Sequence, residues 1–155
     1  MDLPDAKNTY QIEHARVLLE SYWRWTGREL IRTGERDGEV ARRLFEAPFV
    51  VVSHGTEDDP VFNYGNAKAL EVFEMSWAQI TSTPSRASAE AVHQEERARV
   101  MARVTAQGYI DDYAGVRVSR TGRRFRIRRA TVWNVLDDAG VYRGQAAMFA
   151  EWEGL

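Results

Sequence analysis

The first part of the chain carries apolar residues at helical spacing. Apolar side chains recur every three or four positions over residues 9–32, with charged residues opposite, which predicts an amphipathic helix. Its aromatic residues, Trp23 and Trp25 among them, lead us to expect that the helix lies against a sheet face or a partner subunit. Gly34 is predicted to interrupt the pattern, and a second short helix is predicted over residues 39–45.

The middle of the chain changes to strand periodicity. Residues 49–52 are a β-branched and aromatic run closed by Gly55, and a polar turn follows that ends at Pro60. A second extended segment then begins, so this pattern predicts a β-hairpin. Asn66 is a favourable N-cap for a helix over residues 67–74.

The second half of the chain predicts one helix followed by three strands. Ser88 is expected to cap a helix over residues 89–107, which ends at Gly108. The segments that then alternate, separated by glycine-containing turns, are 109–119, 124–136 and 141–152. This element order predicts an α+β domain with a five-stranded antiparallel sheet. We expect the middle helices on one face and the N-terminal helix on the other, or in a dimer contact.

The alternation over residues 124–136 gives Arg129 an unusual position. Arg129 has the same parity as Phe125 and Trp133, which predicts a polar anchor on an otherwise apolar face. A buried guanidinium needs a partner. Asp112 is the favoured one, and an anionic ligand is the alternative.

Charge and composition narrow the range of functions. The chain contains no cysteine, which excludes disulfides and thiolate metal sites, and it has no apolar run of membrane-spanning length. The N-terminus does not resemble a secretory signal, so a cytoplasmic location is expected. Asp111 and Asp112 are expected to form cross-strand ion pairs rather than a metal site.

Arginine is concentrated in one segment. Six arginines lie within ten residues: Arg120, Arg123, Arg124, Arg126, Arg128 and Arg129. Nucleic-acid binding is not favoured, because the net charge is −2 and exposed aromatic residues do not interleave with this cluster. We expect a solvated or ion-paired sheet face.

Adjacent Ser53 and His54 do not predict a hydrolase dyad. Neighbouring residues of a strand point to opposite faces, so the two side chains do not meet within hydrogen-bonding distance. His54 is expected to cap the hairpin turn or to donate a hydrogen bond into the rim of a pocket.

Several long motifs carry a family resemblance. They are FVVVSHGTEDDPVFNYGNAKALEVFEMSW, PSRASAE, RARVMARVTAQGYIDDYAGVRVS, GRRFRIRRATVWNV and YRGQAAMF. In their order and spacing, these motifs resemble the MEKHLA family, which is PAS-like. That family occurs at the C-terminus of plant class III homeodomain leucine-zipper regulators and alone in bacteria. The element order and Asn66 are also similar to those of PAS sensor domains. The resemblance implies an N-terminal helical extension over residues 1–46 and a PAS-like domain over residues 47–155, in a chain expected to be bacterial.

The resemblance implies a non-catalytic sensory or regulatory module. We expect it to bind a small apolar or amphipathic ligand between the sheet and the helices, to form a homodimer or bind a protein through the N-terminal helix and sheet, or to do both. The candidate lining residues are His54, Tyr64, Asn66, Tyr113, Arg129, Thr131, Trp133 and Gln145. Nucleic-acid and membrane partners are not expected.

The cofactor stays open, and two other functions remain as alternatives. Haem at His93, which lies on the helix that carries the axial ligand in haem-binding PAS sensors, is not favoured because its flanks are polar. One alternative is a ligand-free protein-interaction module. The other is a small enzyme with acid–base groups at His54, Asp112 and Arg129.

Overall fold

An antiparallel sheet with helices on both faces forms the protein. The computed structural model describes residues 1–32 and 37–155, so the predicted break at Gly34 lies outside the described residues. The helices are α1 (Ile12–Thr26), α2 (Asp37–Phe45), α3 (Ala67–Phe73), α4 (Trp77–Ile80) and α5 (Ala91–Gln107). Short 3-10 turns span Ala6–Asn8 and Ser85–Ser88. The strands are β1 (Val50–His54), β2 (Phe62–Gly65), β3 (Tyr109–Val118), β4 (Arg124–Leu136), β5 (Tyr142–Phe149) and β6 (Glu151–Gly154).

The strands are arranged in the order β2-β1-β5-β4-β3, and every pair is antiparallel. The α+β class and the five-stranded antiparallel sheet predicted from the sequence are therefore confirmed. The last strand differs from its prediction, because it divides at Ala150. β5 pairs with the second half of β4, and β6 pairs with the first half.

A β-bulge in the middle of β4 reverses which side chains face each side of the sheet. Between the pairs Tyr113–Ala130 and Gly115–Ile127, β4 contains one residue more than β3. Arg129 adopts a left-handed backbone conformation at this point, with φ of 52°. One inserted residue shifts the alternation of side chains by one position. Two residues of β4 an even number of positions apart therefore face opposite sides of the sheet when the bulge lies between them.

This bulge overturns the interpretation of Arg129. Phe125 belongs to the hydrophobic cluster under α5, whereas Trp133 belongs to the cluster under α1, so their predicted common face is wrong. The Arg129 side chain is 84% exposed, and its nearest carboxylate is that of Glu151 at 3.8 Å. The predicted Arg129–Asp112 pair is also wrong, since Asp112 pairs with a different residue.

Two hydrophobic clusters fill the two faces of the sheet. One lies under α1 and α2 and includes Leu18, Leu44 and Trp133; the other lies under α3 and α5 and includes Phe73 and Val104. The N-terminal helix therefore packs on the sheet face opposite the middle helices, as predicted.

Two polar contacts fix α1 along β4. The Ser21 hydroxyl donates to the Leu136 carbonyl oxygen at 2.8 Å, and the Trp25 indole donates to the Asn134 carbonyl oxygen at 2.9 Å. Trp23 points away from the sheet and is 56% exposed. The aromatic residues of α1 thus divide between the sheet contact and the surface.

The helix caps confirm one prediction and correct another. The Asn66 side chain accepts a hydrogen bond from the Ala69 amide at 3.1 Å and caps α3 as expected. Ser88 does not cap α5, which begins at Ala91 after Glu90. The Ser88 hydroxyl instead donates to the Ser85 carbonyl oxygen within a 3-10 turn, so it is not available as a cap.

The arginine-rich strand is an ion-paired surface, as predicted. Arg124 lies 2.8 Å from Glu90, and Arg126 lies 3.7 Å from Glu153.

No helix within residues 1–32 and 37–155 combines the length and the apolar composition that crossing a bilayer requires.

The two neighbouring aspartates form ion pairs, but not with residues of the neighbouring strand. Asp111 pairs with Arg28 at 3.3 Å, and Asp112 pairs with Arg103 of α5 at 3.2 Å. The partners differ from those predicted because a register shift between Ile110 and Tyr113 turns both carboxylates outward.

Candidate functional site

A small cavity lies between the sheet and helix α5. Its volume is about 50 Å³, enough for a few water-sized groups. The apolar lining includes Val52, Phe62, Phe73, Met101, Ile127, Ala130, Val132 and Phe149. The polar side chains of the lining are those of His54, Ser88, Arg97, Tyr113, Arg117 and Gln145. The site therefore combines an apolar wall with several convergent polar groups, which is the usual composition of a ligand pocket.

His54 reaches the cavity from the end of β1. Strand alternation sends His54 toward α5 and Ser53 toward α1, which confirms that the two side chains do not form a dyad. The Nδ1 atom of His54 lies 3.1 Å from the Gly55 carbonyl oxygen. Within the described part of the chain, Nε2 is buried and has no hydrogen-bond partner. When Nδ1 carries the proton and donates to Gly55, the Nε2 lone pair is free to accept a hydrogen bond.

The environment keeps the His54 ring neutral. Burial lowers the pKa of His54, and the nearby positive charge of Arg97 lowers it further, against the opposing effect of the hydrogen bond to Gly55. At neutral pH this imidazole acts as a hydrogen-bonding group without charge.

Two arginines enter the cavity from different elements. Arg97 extends from α5, and its Nη2 atom donates to the Ser85 hydroxyl at 2.8 Å. Arg117 extends from β3 and is only 6% exposed. Its guanidinium carbon lies 5.2 Å from the centre of the Tyr113 ring. Burial, followed by the charge of Arg117, lowers the pKa of Arg97 to about 10.

Gly115 lets the Tyr113 side chain lie close to the backbone of β3. A Cβ atom on Gly115 would lie 2.3 Å from the Tyr113 hydroxyl oxygen, which is closer than real contacts allow. The ring therefore lies over a position where only glycine fits. This places the aromatic face beside the Arg117 guanidinium.

Gln145 closes the side of the cavity formed by β5. Its Nε2 atom lies within hydrogen-bonding distance of Met101 O (3.1 Å), Thr105 Oγ1 (3.0 Å) and Asn134 Oδ1 (3.2 Å). These contacts connect β5 to α5 and β4. The cavity wall is thereby cross-linked by a buried amide.

The structure brings three of the eight predicted lining residues to the cavity. These are His54, Tyr113 and Gln145. Tyr64, Asn66, Thr131 and Trp133 are buried elsewhere, and Arg129 is on the surface. These residues differ from the prediction because the strand registers are irregular. A shift in the β1–β2 pairing places Tyr64 opposite Ser53. The bulge in β4 turns Thr131 away from α5.

Asn66 does not line the cavity, and its side chain instead joins neighbouring elements of the fold. Its Oδ1 atom accepts from the Val51 amide at 3.1 Å as well as capping α3, while Nδ2 donates to Phe49 O at 2.8 Å and Leu44 O at 3.1 Å. It joins α2, β1 and α3.

Arg97 and Arg117 are not among the lining residues predicted from the sequence. Both followed detectable patterns: Arg97, Met101 and Val104 lie on one helical stripe, and Arg117 has the parity of Tyr113.

The residues of the acid–base alternative do not converge. His54 lines the cavity, whereas the Asp112 side chain is 75% exposed and pairs with Arg103, and Arg129 is on the surface. In the described ranges, no three residues among histidine, aspartate and glutamate are grouped so that they could hold a metal ion.

Comparisons with known proteins connect this architecture to a family. A MEKHLA domain model matches residues 12–154. The homeobox-leucine zipper protein HOX9 of Oryza sativa subsp. japonica is 25% identical over 144 residues, which are 89% of this chain and 16% of that protein. The homeobox-leucine zipper protein ATHB-14 of Arabidopsis thaliana is 28% identical over 97 residues, covering 63% of this chain and 11% of its own length. The chain thus spans less than a fifth of these relatives.

Solved structures share the fold at low sequence identity. A PAS domain from Colwellia psychrerythraea has a TM-score of 0.61 at 12% identity and covers 76% of this chain and 94% of its own. The PAS domain, in complex with ethanol, of a LuxR-family transcriptional regulator from Burkholderia thailandensis has a TM-score of 0.54 at 17% identity, with coverages of 74% and 95%. The light-state dimer of the fungal blue-light photoreceptor Vivid has a TM-score of 0.58 at 14% identity, with coverages of 86% and 90%. Because the family model covers nearly the whole chain and the neighbours are PAS-type domains, the chain belongs to the MEKHLA domain family and has a PAS-like fold.

Proposed function

We propose that this chain is a non-catalytic sensory or regulatory module that binds a small ligand between its sheet and helix α5. The observation that carries this proposal is the cavity itself, in which several polar side chains, among them those of His54, Tyr113 and Gln145, converge on an apolar wall. Such a mixture favours an amphipathic ligand over a purely apolar one, because buried polar groups left without partners are costly.

The size of the cavity limits the ligand to a few non-hydrogen atoms. At about 50 Å³, it is far smaller than a haem or flavin ring system requires. The Burkholderia thailandensis regulator, whose PAS domain is in complex with ethanol, supports a ligand of this scale.

A cavity-filling variant tests ligand binding. Ala130 lines the cavity and is buried, so Ala130→Leu should occupy much of the free volume, whereas Ala114→Leu on the exposed side of β3 should not. Native mass spectrometry of the purified chain is expected to show a small-molecule adduct that is lost in Ala130→Leu and kept in Ala114→Leu. Methyl NMR of Met101 with added 1-propanol gives a second measurement.

Two results would contradict this proposal. One is a wild-type protein that shows neither an adduct nor a Met101 shift. The other is an equal response from the Ala130→Leu variant, because ligand would then bind somewhere other than the cavity.

A second candidate function is dimerisation or protein binding through α1. Trp23 is 56% exposed beside Leu19 and Leu30, and an exposed tryptophan among apolar neighbours is typical of an interface. The Vivid structure, titled a light-state dimer, supports this use of the fold. Dimerisation and ligand binding are compatible, since α1 and the cavity lie on opposite faces of the sheet.

The plant relatives support a regulatory context. This chain matches only 16% of HOX9, so what the rest of that protein does is not carried over. Cytoplasmic location, bacterial origin and the domain boundary at residue 46 stay predictions.

A further inference from the structure

Two cationic side chains, those of Arg97 and Arg117, line the cavity. In the part of the chain that the structure describes, neither Arg97 nor Arg117 forms an ion pair. Arg97 donates to the Ser85 hydroxyl, and Arg117 donates to the carbonyl oxygen of Val116. The other arginines at this end of α5 and β4 behave differently, since Arg103 and Arg124 each pair with a carboxylate.

Neutral neighbours leave most of the hydrogen-bonding capacity of these guanidinium groups unused. Each guanidinium has five N–H donors, and the contacts above use one on each. The face of the Tyr113 ring compensates Arg117 in part. Two like charges near each other in a largely apolar site nevertheless repel, and arginine does not lose its proton to relieve that repulsion.

We propose that the ligand of this cavity is a small monocarboxylate, whose carboxylate group is bound by Arg97 and Arg117 and whose short aliphatic tail contacts the apolar wall. This proposal rests on the proposed function and names the chemical class of its ligand. A planar carboxylate matches the fork of a guanidinium and accepts paired hydrogen bonds from it. The tail would contact Phe73, Met101 and Phe149.

Volume and polarity favour a carboxylate over a phosphate. A cavity of about 50 Å³ holds about three to five water-sized groups, which restricts the ligand to an acid of the size of acetate or propionate. Phosphate presents polar oxygens in all directions, and the wall formed by Phe73, Ile127 and Phe149 offers them no donors.

Thermal unfolding of the full chain with defined probes tests the charge requirement. The probes are sodium propionate, the uncharged isostere propionamide, sodium phosphate and sodium chloride, each at about 10 mM. We expect propionate to raise the unfolding temperature in a saturable manner. The other three should have little effect.

Variants at Arg97 and Arg117 test whether these two side chains bind the carboxylate group of the ligand. Arg97→Gln and Arg117→Met should each weaken propionate binding about tenfold or more, measured by titration calorimetry, because each removes a charge-assisted contact. Arg117→Met should also leave the unliganded protein at least as stable as the wild type, since it removes an unpaired buried charge. Arg103→Gln, on the exposed side of α5, is the matched control and should bind propionate like the wild type.

The possible outcomes separate the ligand class from the proposed function. If propionamide binds as well as propionate, or if both arginine variants keep wild-type affinity, the carboxylate proposal is overturned while ligand binding in the cavity stands. An equal response to chloride or phosphate also overturns it. If no probe binds, native mass spectrometry shows no adduct and 1-propanol does not shift the Met101 signal, both proposals are wrong.

Discussion

His14 shows how a single, largely buried side chain makes stability depend on pH. On α1, its Nε2 atom lies 3.0 Å from the Ser53 hydroxyl oxygen, and its ring lies 5.6 Å from that of Tyr64. Burial lowers the pKa of His14 from 6.5 to about 4. The unfolded chain therefore takes up a proton at a higher pH than the folded chain does.

We expect stability to fall as pH falls from about 6.5 to about 4, with His14 as a major cause. Above this window the contribution of His14 to the free energy of unfolding is constant, because the ring is neutral in both states. At about 1.4 kcal/mol for each pKa unit, the loss at the acid end approaches roughly 3 kcal/mol. Urea denaturation at several pH values would measure it.

His14→Gln is the matching variant, because glutamine is neutral throughout and can still bond with Ser53. Its stability should be much less sensitive to pH over the same window. His93→Gln on α5 serves as a second comparison. If His14→Gln and wild type lose stability in parallel, burial of a neutral His14 is not the cause.

At the scale of elements, the order of helices and strands was predictable, but the faces of two strands were not. Hydrophobic periodicity predicted the bounds of β4 correctly. The residue type of Asn66 and its position before α3 predicted its capping role correctly. The bulge at Arg129 could not be inferred from alternation, because a one-residue insertion reverses parity without changing the composition of the strand.

The candidate site was therefore only partly predictable. The predictions of His54 and Gln145 as lining residues agree with the structure, because the β1–β5 pairing that sets their faces is regular. Thr131 and Trp133 were placed on the wrong face, because they follow the bulge. Residue type alone could not assign Arg97 to the cavity, because arginine is usually exposed, whereas a cavity can hold a partly buried cation.

The junction between α5 and β3 depends on a glycine that α1 contacts directly. Gly108 has φ of 98°, and a Cβ atom there would lie 2.5 Å from the Trp25 ring. Gly108→Ala should therefore lower the free energy of unfolding by about 2–4 kcal/mol, through backbone strain and displacement of Trp25. Chemical denaturation followed by tryptophan fluorescence would report both effects.

Gly122 provides a control for backbone strain alone. Its φ is 90°, and a Cβ atom there would meet nothing within 4 Å. Gly122→Ala should cost only about 1 kcal/mol. Equal losses from the two alanine variants would mean that the Trp25 contact adds nothing to the stability of the junction.

Across the whole molecule, one sheet connects the cavity to α1. Gln145 lines the cavity and donates to the Asn134 side chain, and the Asn134 carbonyl oxygen accepts from Trp25 of α1. β1 contributes in the same way, with Val52 and His54 on the cavity side and Ser53 against His14. A ligand that moved Gln145 would act on the docking of α1, which is the element that carries the exposed Trp23.

Trp23 should therefore determine self-association at the level of the whole molecule. A homodimer of this chain needs about 800 Å² of surface from each partner, and an exposed tryptophan is the residue type that commonly dominates such interfaces. We expect wild-type protein to form dimers at about 100 μM in light scattering after size-exclusion chromatography, and Trp23→Arg to be monomeric with the fold intact. Val92→Arg, at a position 79% exposed on α5, should leave the dimer unchanged. A monomeric wild type, or equal loss of dimer in both variants, would rule out the α1 interface and leave the cavity as the functional surface of this domain.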